Sequence, residues 1–275
     1  MLKTKHVRIV LKHTILGVIA CIGLIPFILI VLTSIKIPTE AVIMPPKWIF
    51  VPTLENYREL LTNIDFLHAI FNSLIIAAGA TAIAAVTGIF AGYAFTRFVF
   101  RGRTIISYLI LFLRIVPPIT FVIPYFLIWR MLRLADTYTS MILMYITLCL
   151  PLLVWMMRSF FVDVPIEIEE AAMVDGCSRW QTLRLVLIPA VLPGILASST
   201  LAFISLWNEF MFALFNTGRH TRTLPIEIYN SLGYYQLDWA KLSTSAVVAI
   251  IPAIVFIALT QKYIVRGLTM GAVKG

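Results

Sequence analysis

The sequence predicts an all-α integral membrane protein with six transmembrane helices and both termini on the cytoplasmic side. Three observations predict it. Of the 275 residues, 60% are hydrophobic and 13% charged, against about 25% charged in a soluble domain. A helix needs about 20 apolar residues to cross a bilayer, and stretches of that kind recur at 14–33, 69–95, 104–129, 137–157, 185–206 and 242–261. Lys and Arg sit in clusters between these runs rather than in one block, so the net charge of +9 reads as anchoring of helices in lipid and not as a nucleic-acid surface.

Residues 1–13 form a basic cytoplasmic segment, and 14–261 a single membrane domain. The start mimics a signal peptide, but the apolar core is long and no small-x-small cleavage site follows Leu32-Thr33-Ser34, so an uncleaved first helix is expected. The runs lack the alternation of barrel strands, and open sheets cannot cross lipid, which leaves helices. In the second run Ala80, Ala84, Gly88 and Gly92 recur every fourth residue, a small-xxx-small stripe that lets backbones approach closely. It serves packing inside the subunit or the seam with a partner subunit. The third run contains Arg114, the only charge within any of the six. Arginine at mid-span costs about 2.5–3.5 kcal/mol on insertion scales, so it must face protein, water or a counter-charge. Either it ties loose carbonyls near Pro117-Pro118 or it donates to a solute on its path.

With the N-terminus inside, inner segments hold Lys3, Lys5, Arg8, Lys12, Arg97, Arg101, Arg103, Arg158, Arg179, Arg184, Lys262, Arg266 and Lys274. Outer segments hold Lys36, Lys47, Arg58, Arg130, Arg133, Arg219, Arg222 and Lys241. The inner excess places both termini in the cytoplasm. Two outer segments, 34–68 and 207–241, are long enough to fold over the mouth.

Between the fourth and fifth runs lies a charged cytoplasmic hairpin, 162–184. Pro165 suits a first helical turn. Glu167, Glu169 and Glu170 then sit at the positive end of the helix dipole, and Ala171 and Ala172 favour helix while leaving room for a partner surface to approach. Gly176 can take the left-handed conformation that ends a helix, and Ser178 with Gln181 fits a capping box opening the next one. Pro189 and Pro193 predict kinks in the fifth span. At the end of that span Trp207 and Phe210 suit an aromatic belt, whereas Asn208 and Glu209 either line the mouth or cap a helix end. The polar loop 216–222 is a candidate for contact with a protein outside.

The hairpin's Glu170-Ala171-Ala172, Asp175-Gly176 and Pro189 resemble the signature of ABC importer permeases. Arg114-Ile-Val-Pro117-Pro118 with Pro124, Trp207-Asn208-Glu209-Phe210 and the tail Gly267–Gly275 are similar to the carbohydrate branch of that family, the maltose and glycerol-phosphate type, and to its shorter six-span subunit. The resemblance implies a type I importer permease core that forms half of a sugar pore in a bacterial inner membrane. It implies coupling to an ATPase dimer through Glu169, Glu170, Ala171, Ala172, Asp175, Gly176 and Pro189, and through Gly271, Lys274 and Gly275 of a cytoplasmic tail, 262–275. It implies a second permease subunit, an extracytoplasmic substrate-binding protein and a surrounding lipid bilayer as partners, with ATP and Mg held by the ATPase.

The sequence itself has no G-x-x-x-x-G-K-[ST], H-E-x-x-H or G-x-S-x-G motif, so no catalytic residue, cofactor or metal site is expected in this chain. Carboxylates are missing from the six runs, which argues against a proton-coupled carrier. Three readings stand at this stage: a sugar-importer permease, an ABC permease for another solute, and a secondary transporter or membrane enzyme.

Overall fold

The computed structural model describes residues 2–232 and 238–270. In chain order the helices are α1 (Leu2–Ser34), α2 (Pro38–Ala41), α3 (Glu55–Thr62), α4 (Ile64–Arg97), α5 (Arg103–Leu113), α6 (Ile119–Met131), α7 (Tyr138–Asp163), α8 (Ile166–Val174), α9 (Arg179–Thr182), α10 (Ile188–Trp207), α11 (Met211–Asn216), α12 (Leu224–Asn230) and α13 (Trp239–Met270). A π turn, Leu183–Leu187, joins α9 to α10. Every regular element among the described residues is helical.

Five of these stretches are long and apolar enough to cross a membrane: Leu11–Ser34, Ile64–Arg97, Tyr138–Asp163, Arg179–Trp207 and Trp239–Tyr263. The run at 104–129 departs from expectation. It is not one spanning helix but two shorter apolar ones, α5 and α6, separated by 114–118. Pro117 and Pro118 supply no N–H, and a proline drives the residue before it out of helical conformation. The helix therefore ends just before the pair, with Arg114 and Ile115 closing it through bonds to Leu111 and Phe112 carbonyls.

The chain divides into two compact units. In the first, up to Leu67 and again over Ile228–Ile251, a polar knot closes the end of α1. The buried Ser34 carbonyl accepts from Asn56 Nδ2 at 2.9 Å and from Thr244 Oγ1 at 3.1 Å, and the Ser34 hydroxyl pairs with Tyr57 at 2.7 Å. Asn56 also donates to the Lys36 carbonyl at 2.8 Å. The last carbonyls of a helix lack intrahelical donors, and leaving one buried and unpaired costs about 1–3 kcal/mol. Asn56 and Thr244 remove that cost. The apolar side chains of α1 are exposed all round, Leu16, Ile19 and Ile22 among them, as befits a helix facing lipid or another chain.

In the second unit, His68–Glu227 with the chain from Pro252, α7 is the central post. Its buried Met141, Met144, Tyr145, Leu153, Met157, Phe160 and Phe161 follow helical spacing. Packing here rests on close van der Waals fit, because lipid tails are as apolar as the side chains. Gly194 of α10 gives the clearest case, since a Cβ there would fall 2.5 Å from the Phe160 ring. The Ala80/Ala84/Gly88/Gly92 stripe of α4 turns toward α7 of the same chain. Ala80 and Ala84 are fully buried, and a Cβ on Gly88 would meet Leu153 at 3.2 Å. Pro189 sits at the start of α10, immediately after the π turn in which Ile188 N–H reaches back to the Leu183 carbonyl. The widened turn coincides with the place where proline withdraws a donor and crowds the preceding carbonyls.

A Cβ at Gly92 would lie 2.7 Å from Met157 Cβ and 2.8 Å from the Arg158 backbone nitrogen. Backbone cannot swing aside as a side chain does, so Gly92→Ala is expected to destabilise by about 1–3 kcal/mol. The check is the thermal midpoint of the purified protein in detergent, which falls for Gly92→Ala and holds for Gly17→Ala, whose surroundings are open.

Candidate functional site

The hairpin begins where α7 ends at Asp163 and turns through Val164 and Pro165 into α8. α8 terminates in a Schellman motif. Gly176 takes φ +93°, its N–H bonds to the Met173 carbonyl at 3.1 Å, and the Cys177 N–H bonds to the Ala172 carbonyl at 3.0 Å. Only glycine holds that backbone without strain. Ser178 and Gln181 then form a reciprocal capping box that opens α9. Both ends of the turn are thus fixed by local chemistry.

Glu169 does not point at a partner as its position beside Glu170 suggests. It is 5% exposed and reaches inward to the end of α4. Arg97 Nε donates to Glu169 Oε2 at 2.7 Å and Tyr93 OH to Oε1 at 2.6 Å, while Arg97 Nη2 donates to the Val164 carbonyl at 2.8 Å. One arginine therefore joins the α4 terminus, the α7–α8 junction and the first turn of α8. Ala172, three residues on, is also buried, at 9% exposed, so it too belongs to the inner face of α8. α9 adds a second grip, with Trp180 stacked on Phe90 at 5.9 Å and the Arg179 guanidinium 5.4 Å over the Phe98 ring. Of the residues singled out in the sequence, Glu170, Ala171, Asp175, Gly176 and Pro189 remain exposed. The first four share the free side of the hairpin with Ile166, Ile168 and Val174, while Pro189 lies beyond it in α10. Gly271, Lys274 and Gly275 lie outside the described residues.

Arg114 and Glu209 come together. Both line a cavity of about 410 Å³ with Phe121, Tyr125, Thr147 and Ser205. Arg114 lies in the α5–α6 break, exposed, its backbone N–H on the Leu111 carbonyl and its guanidinium without a hydrogen-bond partner among the described residues. Glu209 has two roles, since its carboxylate also accepts from the Phe212 and Ala213 N–H groups at 2.9 and 3.2 Å and so caps α11. Asn208 stays apart, exposed and bonded to the Ile204 carbonyl at 2.8 Å. Trp207 is not part of a surface belt. It is 3% exposed and stacks on Phe203 at 6.0 Å.

The loop 216–222 is held rigidly. Asp136 accepts from the Gly218, His220 and Thr221 N–H groups at 2.8, 3.0 and 2.9 Å and from the Thr221 hydroxyl at 2.6 Å. Asn72 donates to the His220 and Arg222 carbonyls at 3.0 and 2.9 Å and accepts from Tyr138 OH at 2.5 Å. Burial tends to raise the Asp136 pKa, but the bonds from the Thr221 hydroxyl and the three N–H groups outweigh it and hold the carboxyl below its ordinary value. Sequence reasoning missed Tyr93, Arg97 and Asp136. Arg97 was visible only as an inner-face charge, and Asp136 carried no signal at all. Among the described residues no cluster of His, Cys, Asp and Glu could hold a metal ion.

Residues 84–270 match the family model described as "Binding-protein-dependent transport system inner membrane component". The chain is 37% identical to the sulfoquinovosyl glycerol transport system permease protein SmoH of Agrobacterium fabrum, over 92% of this chain and 90% of that protein. It is 37% identical to the trehalose/maltose transport system permease protein MalG of Thermococcus litoralis, over 93% of each. Among solved structures it resembles a chain of a bacterial ABC transporter involved in the import of the acidic polysaccharide alginate, with a TM-score of 0.77 and 21% identity over 94% of this chain and 97% of that one. That likeness carries the fold, the type I importer permease fold.

Breaking a buried ion pair by removing one partner costs about 3–5 kcal/mol. Glu169→Ala is expected to fall in that range, and Arg97→Ala added to it should cost less than the sum of the singles; additive losses in denaturation of the purified protein would deny the link. The lowered Asp136 pKa stabilises the protein fully above the carboxyl's unfolded value of about 3.9. That contribution is lost as pH falls through the lower folded value. The thermal midpoint of the wild type should therefore drop in acid more steeply than that of Asp136→Asn, which starts lower.

Proposed function

We propose, because this chain belongs to the family of binding-protein-dependent transport system inner membrane components, that it is a permease subunit of an ATP-driven sugar importer and forms half of the translocation pore. It is a transport permease and not an enzyme. The names of its relatives, which carry sulfoquinovosyl glycerol and trehalose/maltose, support carbohydrate as the substrate class. ATP hydrolysis then belongs to two partner ATPase subunits, the other half of the pore to a second permease, and delivery of substrate to a binding protein on the outer face. A bacterial inner membrane is the setting. All six apolar runs cross or enter the bilayer, the third as the broken pair α5 and α6, and both termini lie in the cytoplasm.

The observation that carries this reading is the clamped hairpin. Its free side presents Glu170, Ala171, Asp175 and Gly176 with Ile166, Ile168 and Val174, a mixed apolar and acidic surface suited to an ATPase. Its inner side is bolted to α4 by Glu169 and runs directly into α7 and α10. Displacement of the hairpin is thus delivered to three long helices at once. The route ends at the cavity of Arg114, Tyr125, Thr147, Ser205 and Glu209, whose aromatic face and hydroxyl, guanidinium and carboxylate groups suit a polyhydroxylated solute. The rigid loop Gly218–Thr221 is a fitting landing place for the binding protein. The tail at Gly271, Lys274 and Gly275 adds a second contact to the ATPases.

Two measurements on the assembled transporter test the coupling. Gly176→Pro and Glu170→Lys should abolish uptake while the subunit remains in the membrane. A cysteine at Ala171, on the exposed side of α8, should crosslink to an ATPase, whereas one at the buried Ala172 should crosslink poorly. Normal uptake by both variants, with no crosslink from Ala171, would overturn the coupling role.

A further inference from the structure

A second cavity, of about 460 Å³, lies beside the hairpin end of the bundle, and nothing above uses it. Gly102, Arg103, Ser107, Tyr108, Trp155 and Arg158 line it. It is formed by the chain after α4, the start of α5 and the last turns of α7. No carboxylate lines it. Its two arginines are under-used. Arg158 Nε is buried with no hydrogen-bond partner among the described residues, while its guanidinium rests 5.2 Å over the Trp155 ring. The Arg103 guanidinium makes one long bond, 3.4 Å, to the Phe98 carbonyl. A buried donor left unpaired costs free energy, and an acceptor bound in the cavity that Arg158 lines would offer its guanidinium a partner.

The start of α5 adds to the same field. No side chain caps it; the Arg103 N–H bonds to the Phe100 carbonyl at 3.3 Å, and the positive end of the helix dipole favours an anion. The rim is apolar. Val99 is 94% exposed and Ile105 66%, and Tyr108 is also exposed. A basic cavity behind an aromatic and aliphatic lip fits a boundary where one side is hydrocarbon and the other water.

We propose that this cavity binds a phosphate group, held by Arg103 and Arg158 and carried by the headgroup of an anionic phospholipid whose chains lie against Val99, Ile105 and Tyr108. The guanidinium fork matches phosphate geometry in a way that an ammonium does not. Free phosphate shares the chemistry of the headgroup and lacks the chains, so the two carriers can be separated by experiment. The lipid version rests on the inner-face placement of the hairpin given above. Binding to solubilised protein does not depend on that placement, nor on which solute the transporter carries.

The test is native mass spectrometry of the delipidated, assembled transporter in detergent, titrated with phosphatidylglycerol, with phosphatidylcholine, and with inorganic phosphate. Wild type should retain phosphatidylglycerol in preference to phosphatidylcholine. Arg103→Gln combined with Arg158→Gln should weaken that retention about tenfold or more, whereas Arg130→Gln, distant in the chain, should leave it unchanged. Ser107→Phe fills the cavity while sparing both arginines, and should weaken retention equally if the double variant folds poorly. Displacement of the lipid by inorganic phosphate would assign the site to a soluble phosphate carrier. Equal retention of both lipids with no phosphate bound, or unchanged binding in the double variant and in Ser107→Phe, would overturn the proposal.

Discussion

One carboxylate fixes how the hairpin relates to the rest of the second unit. α8 has nine residues, too few for an isolated helix to be stable in water. It exists because its C-terminal end is closed by the Gly176 turn and because Glu169 and Ala172, three apart on one face, turn inward. The Glu169–Arg97 pair is almost entirely buried, with side chains 7% and 11% exposed. Two charges taken out of water are tolerable only when each satisfies the other and the remaining hydrogen-bonding capacity is also filled. Tyr93 and the Val164 carbonyl fill it. Such a pair contributes less to net stability than to uniqueness of geometry, because α8 cannot rotate or slide without leaving an unpaired charge buried.

That rigidity continues through contacts of another kind. Glycine lets α4 and α10 lie against α7 at distances no Cβ would allow, and in lipid this closeness is itself the source of cohesion. The contrast is the α5–α6 break. Its irregular backbone is acceptable at membrane depth only where it lines a cavity or is buried in protein, and Arg114, Val116 and Pro118 do line one. Closely packed α4, α7 and α10 thus stand beside an interrupted α5–α6.

The parts legible in the sequence are those decided by nearest neighbours. The left-handed Gly176 and the Ser178–Gln181 box depend on a few adjacent residues, and five of the apolar runs depend on length alone. Pro117-Pro118 was equally local, but its effect was outweighed by the apolar length of 104–129, which satisfies the requirement for a span whether or not the helix is continuous. The direction of Glu169 was not legible. Glu167, Glu169 and Glu170 look alike in sequence, and only the position of Arg97, 72 residues earlier, separates the inward one from the others. Trp207 failed for the same reason, since an aromatic residue at a span end suits a belt and a core equally well until Phe203 is placed beneath it.

Arg130 and Arg133 show how local chemistry can blur a global signal. They are the two residues that most weaken the inner excess of basic charge. Both sit at the C-terminal end of α6, where positive charge is favoured by the helix dipole. Arg130 lies 5.3 Å over the Phe126 ring. Arg133 adopts φ +56° as the left-handed residue of a Schellman turn, its N–H on the Arg130 carbonyl at 3.1 Å and the Leu134 N–H on the Trp129 carbonyl at 2.8 Å. The Asp136-centred loop follows at once, so this segment is organised by turn formation. Their placement is accounted for by the turn and carries little information about sidedness. Discounting them, the remaining outer charges thin out while the inner clusters around Arg97–Arg103 and Arg179–Arg184 stay intact. The charge asymmetry expected from the sequence then rests on those clusters, to which Arg97, the arginine that anchors the hairpin, belongs.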